Sequence, residues 1–194
     1  MYTITTTTPR TLTIGPVTLE EIKAHLRLPT CATEDSVLTE MLTAATDMWE
    51  RFSLCPTLPT VYAQHVYALN QAIILQRGNV TAIGSVQYYN TSDVLTTANS
   101  STYYTDIVST PASVWFTDYP QTSANKSPKG QVNFTAGWAN SAAVPAPVKV
   151  AIKLLAAHWY NHREEYQDRE LRRLPMGFQA VIGQFKTGIL GGLM

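Results

Sequence analysis

The spacing of apolar residues changes twice along this chain, and that change limits the folds open to it. Before about residue 56, and again across 145–186, apolar side chains recur every three or four positions, as on one face of an α-helix. Across 60–138 they alternate in short runs rich in Val, Ile, Tyr, Phe and Thr, which Gly, Asn, Asp, Ser and Pro separate. The sequence therefore predicts an α+β fold, a helical bundle (two N-terminal helices plus a long C-terminal helix) with an inserted antiparallel β lobe.

Two helices are predicted within residues 17–56. Thr18 and Glu21 have the spacing of a capping box, which opens the first helix. Its apolar face consists of Leu19, Ile22 and Leu26. The second helix covers 34–53, and its predicted apolar stripe consists of Val37, Met41, Ala44, Met48 and Phe52.

A long helix is predicted after the β lobe, because Pro145 and Pro147 suit a helix start, where a missing N–H costs nothing. Its apolar stripe consists of Val148, Ile152, Leu155 and Trp159. The helices at 34–53 and 147–165 are expected to pack together as the helical core. The remaining segments are a Thr-rich arm or edge strand (1–16), a mobile polar loop (120–130), a mixed-charge run (163–173), a short helix (175–185) and a tail (187–194).

The charge of the chain argues against tight binding to nucleic acid. Charged residues make up 14% of the 194 residues, and 14 Lys and Arg balance 14 Asp and Glu. Sequence-independent DNA binding draws on many phosphate contacts by Lys and Arg, which a neutral chain does not supply as a basic stripe. A surface with so little charge suits contacts with protein neighbours. The sequence predicts neither a signal peptide nor a membrane span, and Cys31 and Cys55 are expected to be reduced, buried thiols.

A metal site is the first alternative that the sequence raises. His158, His162 and Glu165 stand at i, i+4 and i+7, so one helix face could carry all three. Zinc proteases with two His at this spacing also need a Glu directly after the first His, where this chain has Trp159. Packing or capping roles are therefore favoured, and no metal, cofactor or catalytic residue is predicted.

Other residues that could carry chemistry are predicted to be structural. His25 and His65 occur singly in unrelated contexts. Asp93, Asp106 and Asp118 fall in β turns, where Asp is common, and nothing selects an acid pair among them.

Taken in order across residues 17–185, these segments resemble the head–tail connector (adaptor, or head-completion) proteins of tailed bacteriophages. The first helix fits the family's opening pattern at Leu19, Lys23, His25, Leu26 and Arg27. The segments 34–53, 80–90 and 132–138 resemble the second helix and two strands of the family, and Trp159, Tyr160 and Arg163 fit its closing helix. At 77–80 the sequence RGNV replaces the usual Pro-Pro-Val, and His158 and His162 fall where the family pattern is loose.

The resemblance implies a single connector domain over 1–194. It implies a ring of about a dozen copies, docked below the portal in the virion neck and assembled in the bacterial host cytoplasm. Such a ring extends the DNA channel, lets DNA pass without specific binding, joins capsid to tail or stopper, and has no catalytic site.

Contacts with neighbouring subunits are predicted in the β lobe and the mixed-charge run, and contacts with the portal in the C-terminal segment 175–194. The residues concerned are Arg163, Glu164, Arg169, Arg172, Arg173, Phe178 and Phe185. Two other classes stay open: a tail-completion or tail-terminator subunit, and a metal-dependent enzyme using His158 and His162.

Overall fold

The structure is a computed structural model that describes residues 15–28, 33–69, 72–162 and 175–186, together with the backbone of 3–6. The helices of these residues are α1 (Leu19–Leu26), α2 (Asp35–Ser53), α3 (Ala146–Asn161) and α4 (Met176–Phe185). The strands are β1 (Thr3–Thr6), β2 (Thr60–Val66), β3 (Ile73–Ile74), β4 (Val80–Tyr89), β5 (Leu95–Thr97), β6 (Tyr103–Asp106), β7 (Ser113–Phe116) and β8 (Gly130–Ala136).

The predicted α+β fold is confirmed, and the chain divides into two compact units. Unit 1 contains all the strands, in the described residues of Met1–Arg10 and Pro59–Gly137. Unit 2 contains all four helices, in the described residues of Thr11–Leu58 and Trp138–Lys186. That both units act as a single connector domain stays a prediction.

Unit 1 consists of two antiparallel sheets around one core. The five-stranded sheet has the order β1-β2-β8-β4-β5, and the three-stranded sheet has the order β3-β7-β6. The N-terminal segment contributes β1 as an edge strand on β2. Inward side chains from both sheets form the core, with the Tyr62 ring stacked on Phe134 at a centroid distance of 5.7 Å.

A buried glutamine links the two sheets of unit 1. Gln64 of β2 is fully buried; its amide Nε2 donates to the Ile74 carbonyl (2.8 Å), and its Oε1 accepts from the Gln76 backbone N–H (2.9 Å). These two bonds satisfy backbone groups at the end of the short strand β3, which pairs with β7 over only two residues. The Gln64 side chain thus supplies hydrogen bonds that a neighbouring strand would otherwise supply to the β3 segment.

Gln64→Leu is expected to lower the free energy of unfolding of unit 1 by about 2 kcal/mol, because the Ile74 carbonyl and the Gln76 N–H both lose their bonds to the buried amide. Urea unfolding measures the change. Gln131→Leu is the matched control, since Gln131 is half-buried and its amide donates to the side chain of Gln87 (2.7 Å) rather than to a backbone group. Equal losses from both variants would contradict the prediction.

Unit 2 is a helical bundle, and the predicted packing of the helices at 34–53 and 147–165 is confirmed for α2 and α3. The predicted capping box opens α1: the Glu21 N–H donates to Thr18 Oγ1 (3.2 Å), and the Thr18 N–H donates to the Glu21 carboxylate (3.1 Å). Ile22 is buried, with Leu19 and Leu26 packed beside it, as expected. The predicted stripe of α3 is also confirmed: Val148, Ile152 and Leu155 are fully buried, and Trp159 packs against them.

The predicted stripe of α2 was wrong by one position. The buried residues are Leu38, Leu42, Ala45, Thr46, Trp49 and Ser53, whereas Val37, Met41, Ala44, Met48 and Phe52 lie beside them and are partly buried or exposed. A shift of one residue turns the buried face by about 100° around the helix. The core takes the face with two Leu and a Trp, and Met41 and Met48 of the predicted stripe pack at its edge.

The polar loop over 120–130, which was expected to be mobile, is anchored at Ser123. This residue is buried; its N–H donates to the Tyr89 carbonyl (2.9 Å), and its hydroxyl donates to the Asp93 carboxylate. The same hydroxyl oxygen accepts from the N–H groups of Asn125 (3.0 Å) and Lys126 (3.1 Å). These bonds fix the loop to the β4–β5 hairpin.

The anchor is expected to weaken in acid. The hydrogen bond from Ser123, helped by Asn125 and Lys126, holds the pKa of Asp93 below its usual value of 3.8. The folded pKa lies below the unfolded one, so the stabilisation is present above pH ~4 and is lost as pH falls through the folded pKa. We expect the amide NMR shifts of Asn125 and Lys126 to titrate with a midpoint below 3.8.

Asp93→Asn is expected to abolish that titration, because the variant lacks the carboxyl group. Asp118→Asn, at an exposed site, is the control and should leave it unchanged. A titration that persisted in Asp93→Asn would mean that another group controls the loop.

Candidate functional site

The two histidines of the predicted metal alternative lie at the C-terminal end of α3, and one ring nitrogen contacts the backbone there. The His158 and His162 rings lie 4.7 Å apart, and His162 Nδ1 is 2.9 Å from the His158 carbonyl oxygen. That nitrogen therefore contacts the backbone at the C-terminus of α3, where the His158 carbonyl also accepts the backbone N–H of His162 (3.1 Å). Glu165 lies outside the described residues. Within the described part of the chain, no three His, Cys, Asp or Glu side chains form a group that could hold a metal ion.

The other candidate residues for chemistry have local structural partners. The Asp106 carboxylate accepts from the backbone N–H groups of Ser109 (2.9 Å) and Val108 (3.0 Å). The hydrogen bond from the Ser109 side chain, followed by these two backbone bonds, holds its pKa below the usual value. Asp93 occupies the left-handed conformation at the β4–β5 turn, as predicted. Asp118 lies in the bend after β7, whereas Asp106 is the last residue of β6 and accepts from the turn that follows it. The predicted buried state is confirmed for Cys55, whose burial raises the pKa of its thiol to about 12. Cys31 lies outside the described residues.

The resemblance to connector proteins rests partly on residues that hold unit 2 together. Lys23 forms an ion pair with Asp35, which joins α1 to the start of α2. The Tyr160 hydroxyl donates to the Glu34 carboxylate, which joins α3 to the same point. Arg27 adopts the left-handed conformation that ends α1. His25 is exposed, and nothing in the described structure explains it.

The residues predicted at subunit or portal contacts divide into two groups. Arg163, Glu164, Arg169, Arg172 and Arg173 lie outside the described residues. Phe178 and Phe185 lie on α4, which confirms the predicted short helix, but both pack on unit 2 itself: their ring centroids are 6.3 Å and 5.8 Å from that of Trp49. Phe178 is fully buried, so it acts as a core residue in this chain. Sequence reasoning missed this burial because α4 follows a charged segment and looks like part of a tail.

Exposed apolar side chains form a surface on the three-stranded sheet of unit 1. Tyr104 of β6 and Trp115 of β7 stand directly opposite each other and are 68% and 44% exposed. Ile74 of β3 is exposed on the same face, since it pairs with Ser113, two residues before Trp115. Exposed aromatic side chains of this kind are enriched in protein–protein contacts.

Unit 2 exposes apolar side chains on two helix faces. On α2, Phe52 and Ala44 are exposed on the face that was predicted to be buried. On α3, Val150 and Leu154 are exposed opposite the buried stripe. Within the described residues, no helix combines the length and apolar character needed to cross a bilayer.

This arrangement of sheets and helices has counterparts among the chains of solved particle structures. The chain has the fold of a neck chain from an empty gene transfer agent (GTA) particle computed with C6 symmetry, with a TM-score of 0.78 and 22% identity over 98% of both chains. A chain in the virion of a native GTA particle has a TM-score of 0.76 and 21% identity, over 97% of this chain and 98% of its own. A neck chain of the native particle computed with C12 symmetry has a TM-score of 0.75 and 20% identity, over 98% of both.

These likenesses show that the chain shares the fold of those neck and virion chains, which agrees with the fold that the sequence resemblance implies. No protein-family model and no curated protein sequence matches the chain. The fold is therefore shared over the whole length, while sequence identity is between 20% and 22%.

Proposed function

We propose that this chain is a structural head–tail connector, or adaptor, of a phage-like particle. The observation that supports this proposal best is the shared fold with chains of GTA necks and virions, which covers nearly all of both chains. A likeness of that extent includes both units, so it is not the match of a common submotif.

The proposed working form is a ring of about a dozen copies of this chain. The necks that share the fold were computed with C6 and C12 symmetry. A cyclic ring buries two lateral surfaces on every subunit, and the low charge content and exposed apolar side chains of this chain suit such burial.

The ring would lie below the portal, in the neck of the virion, and would extend the DNA channel towards the tail or a stopper protein. A net charge of zero suits that role, because strong phosphate binding would hold DNA that has to slide. The proposal includes no cofactor and no catalytic step. It keeps the charged residues of 163–173 as contacts with neighbouring proteins.

Native mass spectrometry tests this proposal on the purified chain, alone and mixed with the portal ring of the same particle. We expect about a dozen copies to add to one portal ring. A chain that ignored the portal but bound isolated tails would instead be a tail-completion or tail-terminator subunit. Stoichiometric zinc in protein purified without a His-tag would support the alternative of a metal site at His158 and His162.

A further inference from the structure

Helix α3 is apolar around most of its circumference, yet this chain covers only one side of it. Val148, Ile152 and Leu155 are fully buried, while Val150 and Leu154 are 44% and 36% exposed on the opposite side. A helix that is apolar all round is normally buried all round. The sequence of α3 therefore indicates a second covering that the single chain does not provide.

The start of α4 extends this exposed side of α3. Met176 is 85% exposed, and Leu154 Cδ1 is 3.4 Å from the position that a Cβ on Gly177 would occupy. Ala180 and Gly183 are also exposed and continue from Gly177 at intervals of three residues. We define the α3–α4 face as Val150, Leu154, Met176, Gly177, Ala180 and Gly183. It has no charged residue, and its small side chains let another helix approach closely.

A second apolar surface lies on α2. The α2 flank consists of Val37, Met41, Ala44, Met48 and Phe52, the stripe whose spacing suggests a buried helix face. Met41 and Met48 of this flank pack against the edge of the unit 2 core. Phe52 remains 49% exposed in the single chain, and Ala44 is exposed as well, so these two residues form the uncovered part of the flank.

We propose that the α2 flank of one copy packs against the α3–α4 face of the next copy in the ring. The inference rests on the proposed function, because a closed ring uses heterologous contacts and needs two different patches on each subunit. Unit 2 supplies two such patches on separate helices. None of the residues that define the two patches is charged, so the patches can bury each other without burying a charge. The chain's own segment at 163–173 is rich in charged residues and would be a poor cover for either patch. Permanent subunit contacts are apolar and depleted in charge.

Val150→Glu tests the contact, because it places one charge on the α3–α4 face at a position exposed in the single chain. We expect the variant to keep its thermal unfolding midpoint and to assemble on the portal ring at least about 100-fold more weakly, since the charge would be buried without a partner. Ser36→Glu is the matched control: it adds the same charge at an exposed position of α2 away from the flank, and it should assemble normally. If wild type assembles and Val150→Glu assembles equally well, the contact is wrong although the connector function stands. If wild type forms no ring, the proposed function itself fails.

Cross-linking identifies the partner directly, and it does not depend on the fold of the glutamate variant. A photo-reactive phenylalanine derivative replaces Phe52 in an equal mixture of ¹⁴N- and ¹⁵N-labelled chains, which is then assembled on the portal and irradiated. Peptide pairs of mixed isotope that join position 52 to 146–161 or 176–185 support the proposal. Pairs confined to one chain, including pairs with 187–194, or pairs with the portal, would overturn it.

A compensating charge gives the last check. Ala44→Lys on the α2 flank should restore assembly to Val150→Glu, whereas Ser36→Lys should not. Failure of Ala44→Lys to restore assembly any better than Ser36→Lys would count against the pairing of these two faces.

Discussion

Trp49→Ala is expected to lower the free energy of unfolding of unit 2 by about 4 kcal/mol, since it removes the largest fully buried side chain of that unit. The Trp49 ring meets Phe178 and Phe185 edge to face, at centroid distances of 6.3 Å and 5.8 Å. Alanine would leave a cavity where α2 and α4 meet, and α4 is only ten residues long. We therefore expect α4 to lose protection from hydrogen exchange before the other helices do.

Two further variants test whether the loss comes from the buried volume of Trp49: one keeps an aromatic ring at this position, and the other removes an exposed tryptophan. The indole N–H of Trp49 is buried and has no hydrogen-bond partner among the described residues. Trp49→Phe should therefore cost about 1.5 kcal/mol or less, because it removes volume together with an unsatisfied donor. Trp115→Ala, at an exposed site in unit 1, should cost under about 1 kcal/mol. Urea unfolding followed by far-UV circular dichroism measures all three, and equal losses from the two alanine variants would refute the assignment of Trp49 to the core.

Local signals in the sequence predict the type of each element because they act over a few residues. The change of period from 3.6 to 2 places the helices and strands, and Thr18 and Glu21 place the start of α1. Pro145 and Pro147 likewise place the start of α3. None of these signals depends on what the rest of the chain does.

The buried face of α2 could not be predicted in the same way, because the helix carries two adjacent apolar stripes. Spacing alone does not rank Leu38, Leu42 and Trp49 above Val37, Met41 and Phe52. The choice depends on the volume that α3 and α4 leave to be filled, which is a property of the packed unit. If the proposed contact is correct, both stripes are buried in the ring, and the spacing describes the assembly rather than the single chain.

Gln64 and Phe178 show a second limit. Gln64 is a polar residue in a strand, and its buried amide has two hydrogen-bond partners because the β3 segment approaches it. Phe178 becomes a core residue only because α4 folds back onto Trp49. The exposed apolar surface of α3 could have been predicted from the sequence. Lys149 and Lys153 are the fully charged residues of this helix, and most of its other positions are apolar, which is more than one buried stripe requires.

Gly130→Ala is expected to destabilise unit 1 by about 3 kcal/mol, although it adds a single methyl group. A Cβ on Gly130 would lie 2.3 Å from the Gln87 carbonyl oxygen and 3.1 Å from the Tyr88 Cα. Both are backbone atoms of β4, so no side chain can move aside to relieve the contact. Gly130 begins β8, which pairs with β2 on one side and β4 on the other, so a shift of this residue disturbs two ladders at once.

Gly84→Ala is the matched control for this steric argument, because Gly84 lies in β4 opposite the same strand. A Cβ on Gly84 would be 3.4 Å from the Asn133 carbonyl oxygen, at the edge of ordinary van der Waals contact. We expect its effect to stay within about 1 kcal/mol, since alanine also restricts the unfolded chain more than glycine does. Urea unfolding of both variants, with hydrogen exchange read separately for the peptides of β4 and β8, gives the comparison. A Gly130→Ala protein as stable as Gly84→Ala would mean that β4 and β8 separate at this point without cost, which would contradict their close backbone pairing.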